Sequence, residues 1–413
     1  MKGKGVGAGL SLVVLFLVAA PGYAQDATAL SPGWLRLGSN VGLVDEQVQA
    51  GKSVLEKALG ISISGFLDAS YTWSSNHPGF GNDDDISLRV FDQDHNEVVF
   101  NDFNLTLEKP EKDWGVGFKL VGDFGRTAEL LREATFYGVN KLKGAGNGGE
   151  PSAEVREAFI TSTIPVGAGL QVKGGKFVTL MGTEIIPAPG SPNPNISRSY
   201  LFGFAIPFTH TGVLFTYPLT STFSIMAGPV TGWDNPRDNN RQPSFHGGFT
   251  FTPAEVFSLT TSIMSGPEQR HRSGPKRHTI SNVATIKPTS ALTFFVEYTY
   301  GHEEKVTPSL RNATWQGFAA IASYDWTDRF NTALRGEFFR DSDGVRTGGD
   351  LPGTHEDVSL SELTFTAAYK LTAKLLGRAE VRQDWANRKV FQKGNTGADK
   401  GQTTLALQAI YTF

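Results

Sequence analysis

The sequence predicts an all-β chain, a transmembrane antiparallel up-and-down β-barrel of about sixteen strands. It has short turns at one end and long loops at the other. Three observations lead there. The first is strict two-residue alternation, as in "LALQAIYTF" at residues 405–413. Leu405, Leu407, Ala409, Tyr411 and Phe413 share one face, and Ala406, Gln408, Ile410 and Thr412 share the other. A period of two belongs to a strand whose faces meet different surroundings. The second is the sorting of connections into two lengths. The third is the placing of tryptophans where strands meet connections.

Taken in order, residues 1–24 predict a signal peptide. Lys2 and Lys4 give a positive start, an apolar run extends from Leu10 to Ala20, and Gly22 and Ala24 are small residues at a cleavage site after Ala24. The run is shorter than the roughly 20 residues that a membrane-crossing helix needs. Residues 25–60 predict a periplasmic N-terminal extension, with Val41, Val44, Val48, Leu55 and Leu59 at helical spacing. It reads as a linker helix, with a plug in the barrel mouth as the alternative. The barrel is expected over 61–413.

From Ile61 onward, strand-like runs alternate between tight turns and long polar segments. Seven connections are short: 109–113, 164–167, 217–220, 252–255, 287–290, 325–328 and 370–373. Several carry proline, which cannot donate to a ladder and is expected in turns and not inside strands. Eight are long and Gly-rich, near 74–97, 125–151, 181–206, 233–244, 266–277, 302–313, 341–361 and 386–400. Eight long loops and seven turns require sixteen antiparallel strands, with both ends of the strand region on the short-turn side. Trp73, Trp233, Trp315 and Trp385 fall at long-loop junctions, and Trp114 and Trp326 at short turns. Indole rings favour the headgroup level of a membrane, so two girdles are expected.

The alternation also assigns faces. "ALTFFVEYTYG" puts Leu292, Phe294, Val296, Tyr298 and Tyr300 together, and "WGVGFKLVGDF" opposes Lys119 and Asp123 to Val116, Phe118 and Leu120. A charge facing lipid at mid-membrane costs about 2–4 kcal/mol, so the charged parity must face a wet interior.

Composition narrows the function. The chain has 38 basic and 41 acidic residues; without Lys2 and Lys4 the balance is 36 to 41, too acidic for nucleic-acid binding. Cysteine is absent, so no disulfide supports the fold. The eight histidines lie mostly beside long loops, His210 excepted, and neither GxSxG nor HExxH occurs. No catalytic residue, cofactor or metal is expected. Asn82–Asp85 offers calcium-type oxygens but not the twelve-residue loop pattern, and reads as a solvated tip.

"GFLDASYTW" at 65–73, residues 155–187 and "FTHTGVLFTYPLT" at 208–220 resemble the OmpL-like β-barrel porins of the bacterial outer membrane. The likeness covers most of the chain after about Ile61. It implies short periplasmic turns, long extracellular loops and a homotrimer. It also implies that Tyr411 and Phe413 serve as the terminal signal read by the outer-membrane assembly machinery. A sixteen-stranded barrel leaves an aqueous channel. The expected function is passive diffusion of small hydrophilic solutes, with outer-membrane lipids around the wall. The alternatives are a substrate-specific channel for an anion, sugar or organic acid, or a loop-mediated binding or adhesion protein.

Inward parity nominates Lys119, Arg329, Arg335, Glu337, Lys374, Arg378, Glu380, Arg382 and Asp384 as pore-lining; mutual pairing of such charges to support the wall is the plainer alternative. The third long connection, 181–206, is stiffened by Pro187, Pro189, Pro192 and Pro194 and ends in apolar Tyr200, Leu201, Phe202 and Phe204. An exposed loop has little use for such residues, and the resemblance to general porins, whose third loop folds into the lumen, implies that this one narrows the pore, with Glu184 and Arg198 as constriction charges. Packing over the mouth or against a neighbouring subunit is the alternative.

Overall fold

A computed structural model describes residues 56, 58–79, 85–111, 115–137, 153–186, 193–348 and 356–413, all within one compact unit, Ala50–Phe413. The signal peptide, nearly all of the 25–60 extension, Trp114, Asn82–Asp84 and Pro187–Pro192 lie outside the described residues.

The first eight strands are β1 (Ser62–Ser74), β2 (Val98–Lys109), β3 (Val116–Phe124), β4 (Ala153–Ile164), β5 (Leu170–Val178), β6 (Thr209–Pro218), β7 (Phe223–Val230) and β8 (Ser244–Ala254). Then come β9 (Phe257–Gly266), β10 (Arg277–Ile286), β11 (Leu292–Glu303), β12 (Ala313–Asp325), β13 (Phe330–Asp341), β14 (Val358–Lys370) and β15 (Leu375–Ala386). The short β16 (Phe391–Lys393) and β17 (Gly397–Asp399) form a separate hairpin, and β18 (Gly401–Thr412) closes the cylinder by pairing with β1. Sixteen strands thus form one closed antiparallel barrel in sequence order. No helix of the described residues is long and apolar enough to cross a membrane.

Burial is inverted relative to a water-soluble protein. Asp102, Asn104, Asp123, Arg335, Thr364 and Arg382 are buried on the inner face, whereas Phe318, Leu334, Phe365, Leu405 and Leu407 are exposed on the outer one. The face of β18 carrying Leu405 and Leu407 therefore meets lipid, and that carrying Gln402, Thr404 and Ala406 meets the interior.

The closing seam needs Gly65. A Cβ there would sit 2.5 Å from Phe413 Cζ and 2.3 Å from Asn104 O. Phe413 lies across this bare backbone, donating its N–H to Gly65 O at 3.1 Å, and stacks on Phe103 with ring centroids 6.1 Å apart. Each unpaired backbone group at an open edge in hydrocarbon costs several kcal/mol, and this contact seals the last residue of the edge.

Two expectations need correction, and two long connections carry secondary structure of their own. Proline does occur inside strands: Pro229 in β7 and Pro253 in β8. The β6–β7 register skips from Gly212↔Val230 to Phe215↔Ala227, and the β8–β9 register shifts between Phe251 and Ala254, so each ladder breaks where an N–H is missing. Trp315 and Trp233 are not girdle residues. Both are buried and meet edge to face at 6.3 Å, because Gly301 leaves space for the Trp315 ring. Trp385 and Trp326 are exposed at opposite barrel ends, as girdles require. The second long connection holds a helix, α1 (Arg126–Tyr137), with Ala128, Leu130 and Leu131 buried, and the eighth holds the β16–β17 hairpin.

Candidate functional site

The described parts of the third long connection, residues 179–186 and 193–208, enter the barrel and lie against its inner wall. Irregular backbone at membrane depth must find partners from protein or water. The wall supplies them from strand to strand. On the way in, Gly182 N donates to Ser281 Oγ on β10 (3.1 Å) and Thr183 N to Glu297 Oε2 on β11 (2.7 Å). On the way out, Ile196 N and Ser197 N donate to the two oxygens of Glu380 on β15, at 2.6 and 3.0 Å. Tyr200 N and Leu201 N donate to those of Glu337 on β13, at 2.7 and 2.6 Å. Glu380 and Glu337 each accept from two successive amides, one on each carboxyl oxygen.

Arginines treat the loop carbonyls in the same way. Arg335 Nη1 donates to Ser197 O (2.7 Å), Arg382 Nη1 to Arg198 O (2.6 Å) and Arg378 Nη1 to Asn193 O (2.8 Å). Arg335 also pairs with Glu184 of the loop and Glu362 of β14, both at 2.7 Å, and Arg382 with Asp384 at 2.7 Å. The Tyr200 hydroxyl donates to Asp384 Oδ1 at 2.6 Å. A five-residue π-helical turn, Leu201–Ala205, follows, and Trp315 Nε1 donates to Ala205 O at 3.1 Å.

Residues 85–97 of the first long connection dock beside it. Arg89 Nη2 reaches Asp384 Oδ2 (2.8 Å) and Thr404 Oγ1 (2.9 Å), and Phe91 meets Phe202 and Phe208 with centroids 6.0 and 5.8 Å apart. Gly203 makes this possible, since a Cβ there would stand 2.5 Å from Val90 Cγ2. Arg346 of the seventh connection adds a bond to Phe204 O at 2.6 Å. An apolar cluster that includes Val90, Leu130, Tyr200, Leu201, Phe202 and Phe204 thus fills the space between the inserted segments.

Open space lies on the other side. A cavity of about 810 Å³ is bounded by β4 to β8, with Thr161, Thr163, Lys173, Thr216, Ser224 and Thr250 among its lining. Lys119, on β3, pairs with Glu157 at 3.2 Å beside it, and Lys173 Nζ sits 4.8 Å from the Phe159 ring centroid.

The sequence-nominated residues therefore divide. Arg335, Glu337, Arg378, Glu380, Arg382 and Asp384 point inward but lie beneath the inserted loop, bonded to it or to one another. Lys119 is inward on the open side. Arg329 is exposed on the tight turn ahead of β13, and Lys374 sits on the turn ahead of β15, because those strands begin at Phe330 and Leu375. Glu184 and Arg198 are both buried in the loop; Arg198 donates to Ile185 O and Ile196 O. Sequence reasoning missed Glu297, Glu362, Arg89 and Arg346. The first two carried a signal, being charged residues of inward parity. The last two sit in connections, where no periodicity marks them.

The profile of the family described as "Putative beta-barrel porin-2, OmpL-like" matches residues 60–413. The chain belongs to this family. Comparison with curated proteins gives no match. Among solved structures, this porin is similar to the outer membrane channel DcaP of Acinetobacter baumannii, with 14% identity and a TM-score of 0.55 over 86% of this chain and 97% of that one. It is also similar to an anion-selective porin from Comamonas acidovorans, with 10% identity and a TM-score of 0.56 over 86% and 99%. The trimer form of Vibrio cholerae OmpT gives 12% identity and 0.54 over 86% and 99%. At such identities the likeness speaks for the fold alone. Family and fold together make this an outer-membrane porin channel.

Proposed function

We propose that this porin passes small hydrophilic solutes by diffusion along one side of its barrel, between the inserted third loop and the wall from β3 to β8. The observation that carries the reading is the one-sided anchoring of the loop. Its amides and carbonyls are held by β10 to β15, while the cavity of about 810 Å³ is bounded by β4 to β8. In this reading the loop is the constriction, and the wall charges beneath it act as its mounts. Passage through the pore needs no bond chemistry, so no catalytic role is assigned. Outer-membrane lipids cover the outward apolar face. A homotrimer is supported by the trimer form recorded for Vibrio cholerae OmpT. Cleavage after Ala24 and recognition of Tyr411 and Phe413 by the assembly machinery complete the proposed route to the membrane.

A substrate-specific channel is favoured by the apolar cluster that the first and third connections build inside the long-loop half. Purified protein in a planar bilayer separates the two readings. Steady conductance with weak block by each of several sugars and organic acids supports diffusion, strong block by one solute supports specificity, and absence of conductance overturns both.

A further inference from the structure

The fourth and fifth long connections, 231–243 and 267–276, form a groove of about 1140 Å³ on the long-loop rim, away from the lumen cavity. Arg237, Arg241 and Arg270 line it and are exposed. None of the three has a carboxylate within 4.0 Å among the described residues, whereas Arg335 and Arg382 of the lumen and Arg340 of the rim are all paired. The acid of the groove is Asp238, whose Oδ1 already accepts from Asn240 N at 2.8 Å and Arg241 N at 2.6 Å. The groove therefore carries a surplus of fixed positive charge.

The two connections are also stapled together. Asn240 Nδ2 donates to Pro267 O at 2.6 Å, and His271 N donates to Asn239 O at 3.0 Å. Arg241 and His271 hold φ of 67° and 61°, a left-handed backbone uncommon for residues other than glycine. Such strain persists where surrounding bonds over-determine it, and it gathers at ligand sites. A groove fixed before a ligand arrives loses little entropy on binding.

We propose that this groove binds a phosphorylated saccharide. Guanidinium forks match phosphate oxygens two at a time. Three of them lining one groove suit a ligand that carries phosphate. Asn235, Asn239 and Ser273, also in the lining, offer partners for sugar hydroxyls. The same chemistry is presented by a glycolipid headgroup of the outer leaflet and by a free sugar phosphate. The groove shares no lining residue with the lumen cavity, and the proposal does not rest on the diffusion reading.

The test uses the full chain, folded in detergent, titrated by calorimetry with fructose 1,6-bisphosphate and separately with lipopolysaccharide micelles. Saturable binding of at least one probe is expected, weakened by salt, with no binding of unphosphorylated fructose. The combined Arg237→Gln, Arg241→Gln, Arg270→Gln variant should lose about tenfold or more in affinity, since three charge-assisted contacts go at once. Binding of the bisphosphate alone assigns a free solute; binding of lipopolysaccharide alone assigns a headgroup; binding of both supports the shared chemistry. If the triple variant fails to fold, Arg237→Gln and Arg270→Gln are measured singly, each expected to bind several-fold more weakly. No saturable binding of either probe, equal binding of fructose, or affinity unchanged in the folded variants overturns the proposal. Single-channel conductance of the folded triple variant should equal that of the parent chain, so failure here leaves the pore reading intact.

Discussion

Glu380 illustrates how one buried carboxylate can hold a loop. It accepts from two successive amides of the third connection and from Thr366 Oγ1 at 2.7 Å. Glu380→Ala leaves two buried N–H groups without an acceptor, at about 1–3 kcal/mol each. The expected outcome is a loop released from its mounts, seen as higher and noisier single-channel conductance and as new proteolytic cleavage within 193–206. Arg335→Ala should act more strongly, because it strands both Glu184 and Glu362; breaking a buried pair from one side costs about 3–5 kcal/mol. Urea unfolding of the protein folded in lipid vesicles measures this. Asp234, in the fourth connection outside the strands, accepts from Phe208 N at 2.7 Å and Thr209 N at 2.8 Å. Burial raises its carboxyl from 3.8 to about 6 despite those donors, and Oδ2 has no partner among the described residues. The fold thus favours the protonated acid. Its stabilising contribution is whole below 3.8 and lost as pH rises through about 6. Protease resistance of the fourth connection should fall across that window, and Asp234→Asn should flatten the dependence.

At the scale of elements, the barrel seam makes the sharpest prediction. Gly65→Ala forces a methyl group into Asn104 O and the Phe413 ring. β1 or β18 must shift, so the yield of heat-modifiable folded barrel should drop, and shortening Phe413 to Leu in the same chain should restore it only in part, because the Asn104 carbonyl still meets the methyl group. The strands themselves were legible in the sequence because lipid and water impose opposite demands at every second residue. Arg335, Glu337, Glu380 and Arg382 could be assigned to the inner face on parity alone. Their partners could not, because pairing with Glu184, Ser197 or Tyr200 depends on where a loop more than a hundred residues earlier comes to rest. The apolar end of that loop argued against an exposed position and the likeness to porins implied its insertion, whereas the first connection carries no comparable run, and the docking of Arg89 and Phe91 was invisible. Tryptophan position misled at Trp315 and Trp233, since a junction places an indole at the right height but does not say which face it takes.

For the whole molecule, the inner wall has two unlike halves. From β10 to β15 its charges are spent on the loop; from β4 to β8 hydroxyls and Lys173 face open space, with Lys119 of β3 paired to Glu157. Charge reversal should therefore matter on one side only. Lys119→Glu with Lys173→Glu should move the reversal potential in a salt gradient toward cation preference. Arg382→Glu, lodged between Asp384 and the loop, should destabilise the folded barrel and not set its selectivity. The absence of native cysteine permits the most direct test of a one-sided path. Thr216→Cys on the cavity side and Thr364→Cys beneath the loop are each placed in a bilayer and treated with a charged methanethiosulfonate. The account predicts rapid modification and a stepwise fall in conductance for Thr216→Cys, with Thr364→Cys unreactive. Rapid block at Thr364→Cys with none at Thr216→Cys would contradict it.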